Sequence, residues 1–147
     1  MNINDYFKKV YTIAFRLTGD EMKADYMAFI AIKSTLLDLN LPNKISINML
    51  QCAAKEVCRI FLSESNDIQI LKSLEQENNK PESFQNALMT LNPLSRVIII
   101  WKDVLGFKID DMTEINRSKQ EMYSVLHNAR SQMKEILKDI AINEIGA

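Results

Sequence analysis

The chain has 147 residues, enough for one medium domain or two very small ones. Apolar residues make up 47% of it and charged residues 25%, which excludes wholesale disorder, while three Gly and three Pro disfavour a turn-rich all-β fold or a Gly-rich phosphate loop. Lys plus Arg number 18 and Asp plus Glu 19, so a net charge of -1 lacks the basic excess of a simple nucleic-acid coat.

In chain order the apolar spacing predicts helices almost throughout, an all-α fold. The first runs from about Asp5 to Leu17, with Phe7, Val10, Tyr11, Ala14 and Phe15 at three- and four-residue steps. Gly19 is its expected stop, and Asp20 the expected N-cap of a second helix from about Glu21 to Leu39. Asn40-Leu41-Pro42-Asn43 is a break before a third helix, about Ser46 to Leu62, carrying Met49, Ala53, Val57 and Ile60. Residues 63–82 are polar, with five acids against two lysines, and suit a tether. The expected division is therefore a small helical domain at 1–62, a linker at 63–82 and a second helical domain at 83–147.

The second domain opens with a helix from about Ser83 to Leu91. Asn92-Pro93 then reads as N-cap and first-turn proline of a helix reaching Leu105, although Val97-Ile98-Ile99-Ile100 is β-branched. Gly106 marks its stop, and a short segment from Ile109 to Ile115 precedes a long final helix, Ser118 to about Ala141. Met122, Val125, Leu126, Ala129, Met133, Ile136, Leu137 and Ile140 form the apolar stripe of that helix. At about 100° per residue the opposite face carries Gln120, Tyr123, Ser124, His127, Ser131, Lys134 and Lys138. From Arg117 to Lys138 five basic residues stand against two acids, a local excess that attracts phosphate modestly.

Catalytic chemistry is hard to place. Cys52 and Cys58 lie ~9 Å apart along a helix, beyond disulfide reach, and His127 is the lone histidine, too few for most zinc patterns. Asp110, Asp111 and Glu114 cluster, as solvated carboxylates at a helix start often do. No base and nucleophile pair up, so neither an enzyme nor a cofactor is expected. The segment Met1–Val10 lacks a basic-then-apolar leader and no apolar run is long enough for a membrane span, which predicts a cytoplasmic protein.

The segment Leu88-Met89-Thr90-Leu91-Asn92-Pro93-Leu94-Ser95-Arg96-Val97-Ile98-Ile99 resembles the opening of region 4 in bacterial sigma factors. Gly106-Phe107-Lys108-Ile109-Asp110-Asp111-Met112-Thr113-Glu114-Ile115 is similar to the first helix of that region's helix-turn-helix. Ser118 to Arg130 aligns without gaps on its second helix, with Ser124, Leu126, His127, Ala129 and Arg130 the most specific matches. More faintly, Val10 to Asp20 and Ala24 resemble sigma region 2. The ordered set is that of the small extracytoplasmic-function type, which has regions 2 and 4 alone.

The resemblance implies a protein that docks on core RNA polymerase through region 2 and reads the minus-ten and minus-thirty-five promoter elements with regions 2 and 4. It assigns DNA contacts to Arg117, Ser118, Lys119, Gln120, Tyr123, Ser124, His127, Arg130 and Lys134, and backbone contacts to Lys55 and Arg59, which serve equally well as solvated helix charges. Polymerase contacts fall on Tyr26, Met27, Phe29 and Ile30, with Tyr26 and Phe29 either core or partner surface. The chain also departs from the pattern. The turn before Ser118 is one residue short, the docking motif reads Tyr26-Met27-Ala28-Phe29 without its acid or Gln, and Glu56 replaces an Asn near the minus-ten bases. Those departures motivate an alternative, a sigma-like module that binds an anti-sigma, co-sigma or other regulatory protein without melting promoters.

Overall fold

The computed structural model describes residues 1–36, 44–75 and 83–146, with side chains described for 1–36, 44–64 and 83–139; among these the chain is helical, with no strand. Helix α1 (Ile3–Thr18) starts at Asn2, whose side chain accepts the Asp5 N–H at 2.8 Å. It stops at Gly19, where φ is +64° and the N–H donates to Phe15 O at 2.7 Å. A Cβ there would stand 2.7 Å from Met89 Sδ, which the flexible Met89 side chain would have to vacate, so the left-handed backbone is what favours glycine. Asp20 Oδ1 accepts the Lys23 N–H at 3.1 Å, capping α2 (Glu21–Leu36) as expected. The core side of α2 is small, with Ala24, Ala28 and Ala31 around Met27, which lets its neighbours approach closely. The expected end of this helix at Leu39 and the break at 40–43 lie outside the described residues.

Helix α3 (Ile47–Glu75) is longer than expected, and residues 63–75 of the anticipated linker belong to it. The reason lies in the sequence: neither Gly nor Pro occurs between Ile47 and Glu75, so nothing ends the helix at Leu62. Residues 76–82 of that linker lie outside the described residues. The N-terminus is tied to the start of α3, since Ile45 N–H donates to Met1 O at 3.0 Å.

Helix α4 (Phe84–Thr90) is capped by Ser83 and α5 (Pro93–Ile99) by Asn92, which accepts the Ser95 N–H at 2.9 Å with Pro93 in the first turn. The β-branched run stays helical because Val97, Ile98, Ile99 and Ile100 are all buried there. The chain then widens into a π-helical turn, Ile100–Val104, with Leu105 N–H donating to Ile100 O at 2.9 Å. That turn seats Trp101, whose Nε1–H donates to Lys108 O at 2.7 Å.

Where the resemblance implies the first helix of a helix-turn-helix, the chain forms only a 3-10 turn, Ile109–Asp111. Ile109, Met112 and Ile115 are buried, and the chain reaches the last two through the turns that follow the 3-10 segment. Helix α6 (Lys119–Gly146) follows, with Ser118 Oγ accepting the Glu121 N–H at 3.1 Å.

The buried side chains of α1 to α3 and of α4 to α6 form one continuous core. Arg96 sits at the junction, 7% exposed. Its guanidinium donates to Leu17 O at 2.7 Å, Leu88 O at 2.9 Å, Leu91 O at 2.8 Å and Met89 O at 3.0 Å, and it stands 5.5 Å from the centre of the Phe61 ring. Burial pushes its pKa down to about 10, so it remains charged at neutral pH. Gln85 completes the seam, with Nε2 donating to Phe15 O at 3.1 Å and Arg16 O at 3.2 Å. Replacing Arg96 by Met leaves the Leu17, Met89 and Leu91 carbonyls without their guanidinium donor and is expected to cost about 3 kcal/mol or more in urea unfolding. Arg96→Lys, lacking the planar fork, should recover only part of the loss. Trp101 fluorescence and helical circular dichroism should report one coincident transition.

Candidate nucleic-acid interface

Ser118 caps α6 and so fixes where its surface begins. From there the helix turns Met122, Leu126, Ala129 and Met133 into the core and leaves Gln120, Tyr123, Ser124 and His127 on the exposed side. Arg117, Ser118 and Lys119 are exposed at the same end, and Arg130 and Lys134 continue the face along the next turns. The sequence-derived set on α6 is therefore brought together on one open strip. The Ser118 hydroxyl is engaged by its capping bond, so its first role is to start the helix.

Several cations of this strip carry a carboxylate partner. Arg130 binds Asp103 in a fork, Nε to Oδ2 at 2.9 Å and Nη2 to Oδ1 at 2.6 Å. Lys119 Nζ lies 2.9 Å from Asp110 Oδ1, and Arg117 Nη1 lies 3.5 Å from Glu121 Oε2. The hydrogen bonds that Arg130 and Lys119 donate to Asp103 and Asp110 hold their pKa values above the usual range. Phosphate contacts by these groups require exchange of one anion for another, at sites exposed enough for solvent and salt to screen the pairs. Asp103 and Asp110 were not legible as partners, because each lies on another element and no local spacing links it to α6.

On α3, Lys55 is half-buried and Arg59 exposed, and the Arg59 guanidinium is bonded to both oxygens of Glu56. That hydrogen bond pulls the Glu56 carboxyl below its usual range, so Glu56 is anionic at neutral pH, beside the cation expected to contact DNA. One turn earlier, Gln51 Nε2 donates to Asp111 Oδ2 at 3.4 Å, which places the 109–111 turn against this stripe.

The residues expected to meet polymerase divide between core and surface. Met27 is 1% exposed and packs in the core, so its side chain supplies no docking surface; the step from Ala24 to Ala28 and Ala31 turns it inward. Tyr26 at 55% and Phe29 at 65% exposure face solvent, with Ile30 partly buried beside them. Met22, 83% exposed, extends the same strip and was missed, although its four- and seven-residue spacing to Tyr26 and Phe29 marks one helix face. Lys33 Nζ lies 6.0 Å from the Phe29 ring centre at the other end.

No family model and no curated protein matches this chain. Among the described residues no group of His, Cys, Asp and Glu has the arrangement of a metal site, and no helix is long and apolar enough to cross a membrane. Both cysteines are free thiols on α3, Cys52 exposed and Cys58 buried. Burial pushes the Cys58 thiol up to about 12, so it stays protonated and unreactive at pH 8. An aromatic disulfide reagent is expected to titrate one thiol per native chain, lost in Cys52→Ser, and the second only after denaturation.

Proposed function

We propose that this chain is a divergent sigma-type transcription-initiation protein of the cytoplasm, which binds promoter DNA through α6 and core RNA polymerase through α2, without catalysis of its own. One observation carries the reading: the Gln120-to-His127 face of α6 stays open to solvent although both halves of the chain share a core. It supports the resemblance of Ser118 to Arg130 to a recognition helix, whose N-terminal residues meet base edges in the major groove. Gln120 has the amide to pair bidentately with adenine, Ser124 hydrogen-bonds several bases, and Lys119 suits guanine or phosphate. Arg117, Arg130 and Lys134 supply phosphate contacts that set register. The acid partners of Arg117 and Arg130 keep intrinsic affinity low, which fits a protein that reaches its promoter with polymerase.

Replacing Gln120 and Ser124 by Ala is expected to weaken binding to a duplex selected by the protein by about 1–3 kcal/mol for each bidentate base pairing that the substitution removes. The measurement is a titration of labelled duplex at fixed salt. Unchanged affinity removes the recognition role from this face.

A second reading, a sigma-like module for a regulatory protein, is favoured by anionic Glu56 and by a docking helix whose exposed strip, Met22, Tyr26 and Phe29, is apolar and aromatic. Retention on immobilised core polymerase separates the two. The sigma reading expects the native chain to be retained and Phe29→Ser to be released with its fold intact. If the native chain is not retained, even with a candidate co-sigma present, the second reading takes its place.

A further inference from the structure

We propose that the chain engages DNA as one closed body: α6 reads a single contiguous element of about one helical turn, and α3 addresses no second element. The inference rests on the DNA reading above and says how much DNA this face takes. The first ground is the seam between the halves. The last carbonyls of α1, at Phe15, Arg16 and Leu17, are satisfied by Gln85 and Arg96 from the other half. Parting the halves strands the Arg16 and Leu17 acceptors, uncovers the Arg96 charge and breaks the packing of α3 on α5. Met89 fills the space beside Gly19 in the same seam.

The second ground is the cover over α3. Gln51, Lys55 and Arg59 follow each other by four residues along one face, the stripe that a second element would have to meet. Asp111 bonds Gln51 there, Glu56 holds Arg59, and Glu114 adds its field at Arg59. Carboxylates from both halves thus stand where phosphates would approach. Asp110, in the same turn, is bonded instead to Lys119 at the start of α6.

The third ground is reach. At 1.5 Å per residue the longest helices, α3 with 29 residues and α6 with 28, are each ~43 Å long. Elements centred at minus ten and minus thirty-five are ~85 Å apart at about 3.4 Å per base pair. A closed body of this size covers one of them.

The test is selection from duplexes carrying about 40 randomised base pairs, ~136 Å of DNA, with core polymerase present and absent. A single enriched block of about 10 base pairs is expected in either arm. A parallel arm uses Gln51→Cys with Asp111→Cys in a Cys52→Ser background, joined by a bismaleimide so that the halves stay closed. The cross-linked protein is expected to enrich the same block with undiminished affinity. Two blocks separated by about two helical turns, or binding abolished by the cross-link, overturn the inference and leave the DNA reading standing. No enriched block from the unmodified chain in either arm removes the DNA reading, and this inference with it.

Discussion

A buried guanidinium with no carboxylate beside it among the described residues holds this structure together. Arg96 meets four backbone carbonyls at the ends of α1 and α4 and in the turn after α4. Such carbonyls are the acceptors a helix leaves unsatisfied at its C-terminus, and they carry the negative end of its dipole. Two helix ends therefore act as the counter-charge. A single planar side chain satisfies both ends at once, and a lysine offers neither the fork nor the reach in two directions. The position of α4 on α1, the place of Gly19 against Met89, and the course of α5 into the core all follow from that one site.

The exterior follows a different logic. The open strip of α6 is rich in hydrogen-bonding side chains, but its arginines and the lysine at its start are offset by acids from its own first turn and from the segments before it. Charge there is arranged in pairs, and pairs on a solvated surface contribute little to stability. Their larger effect is on the field that a polyanion meets: short-ranged, nearly neutral and responsive to geometry more than to net charge. The strip on α2 is the complementary case, with Met22, Tyr26 and Phe29 on an outer face where the opposite side is already packed by alanines.

Local signals in the sequence survive into the structure. Asn92-Pro93 caps α5, Asp20 caps α2, Gly19 ends α1 in a left-handed conformation, and Met122, Leu126, Ala129 and Met133 of the expected α6 stripe are buried, with Val125, Ile136 and Leu137 partly so. What was illegible depends on partners far away in the chain. The run of α3 past Leu62 hides behind polar composition, which describes solvent exposure and says little about backbone state. The segment from Ile109 to Ile115 forms a 3-10 turn only at Ile109–Asp111, with Ile109, Met112 and Ile115 buried. Met27 reads as surface by resemblance and is core by packing. The Leu17 carbonyl that Arg96 reaches and the Asp103 that Arg130 binds lie 79 and 27 positions away, outside any local window.

The bond from Arg96 to Leu17 O joins residues 79 positions apart. More than half of the chain must therefore be synthesised before α1 acquires its final cap. During that interval the first three helices leave the ribosome with their shared apolar face only partly covered and the Leu17 carbonyl unmet. An all-helical protein of this size is usually dominated by local contacts and folds early and quickly. Here the closing step waits for a distant side chain, so the nascent N-terminal half is the species exposed to chaperones and proteases.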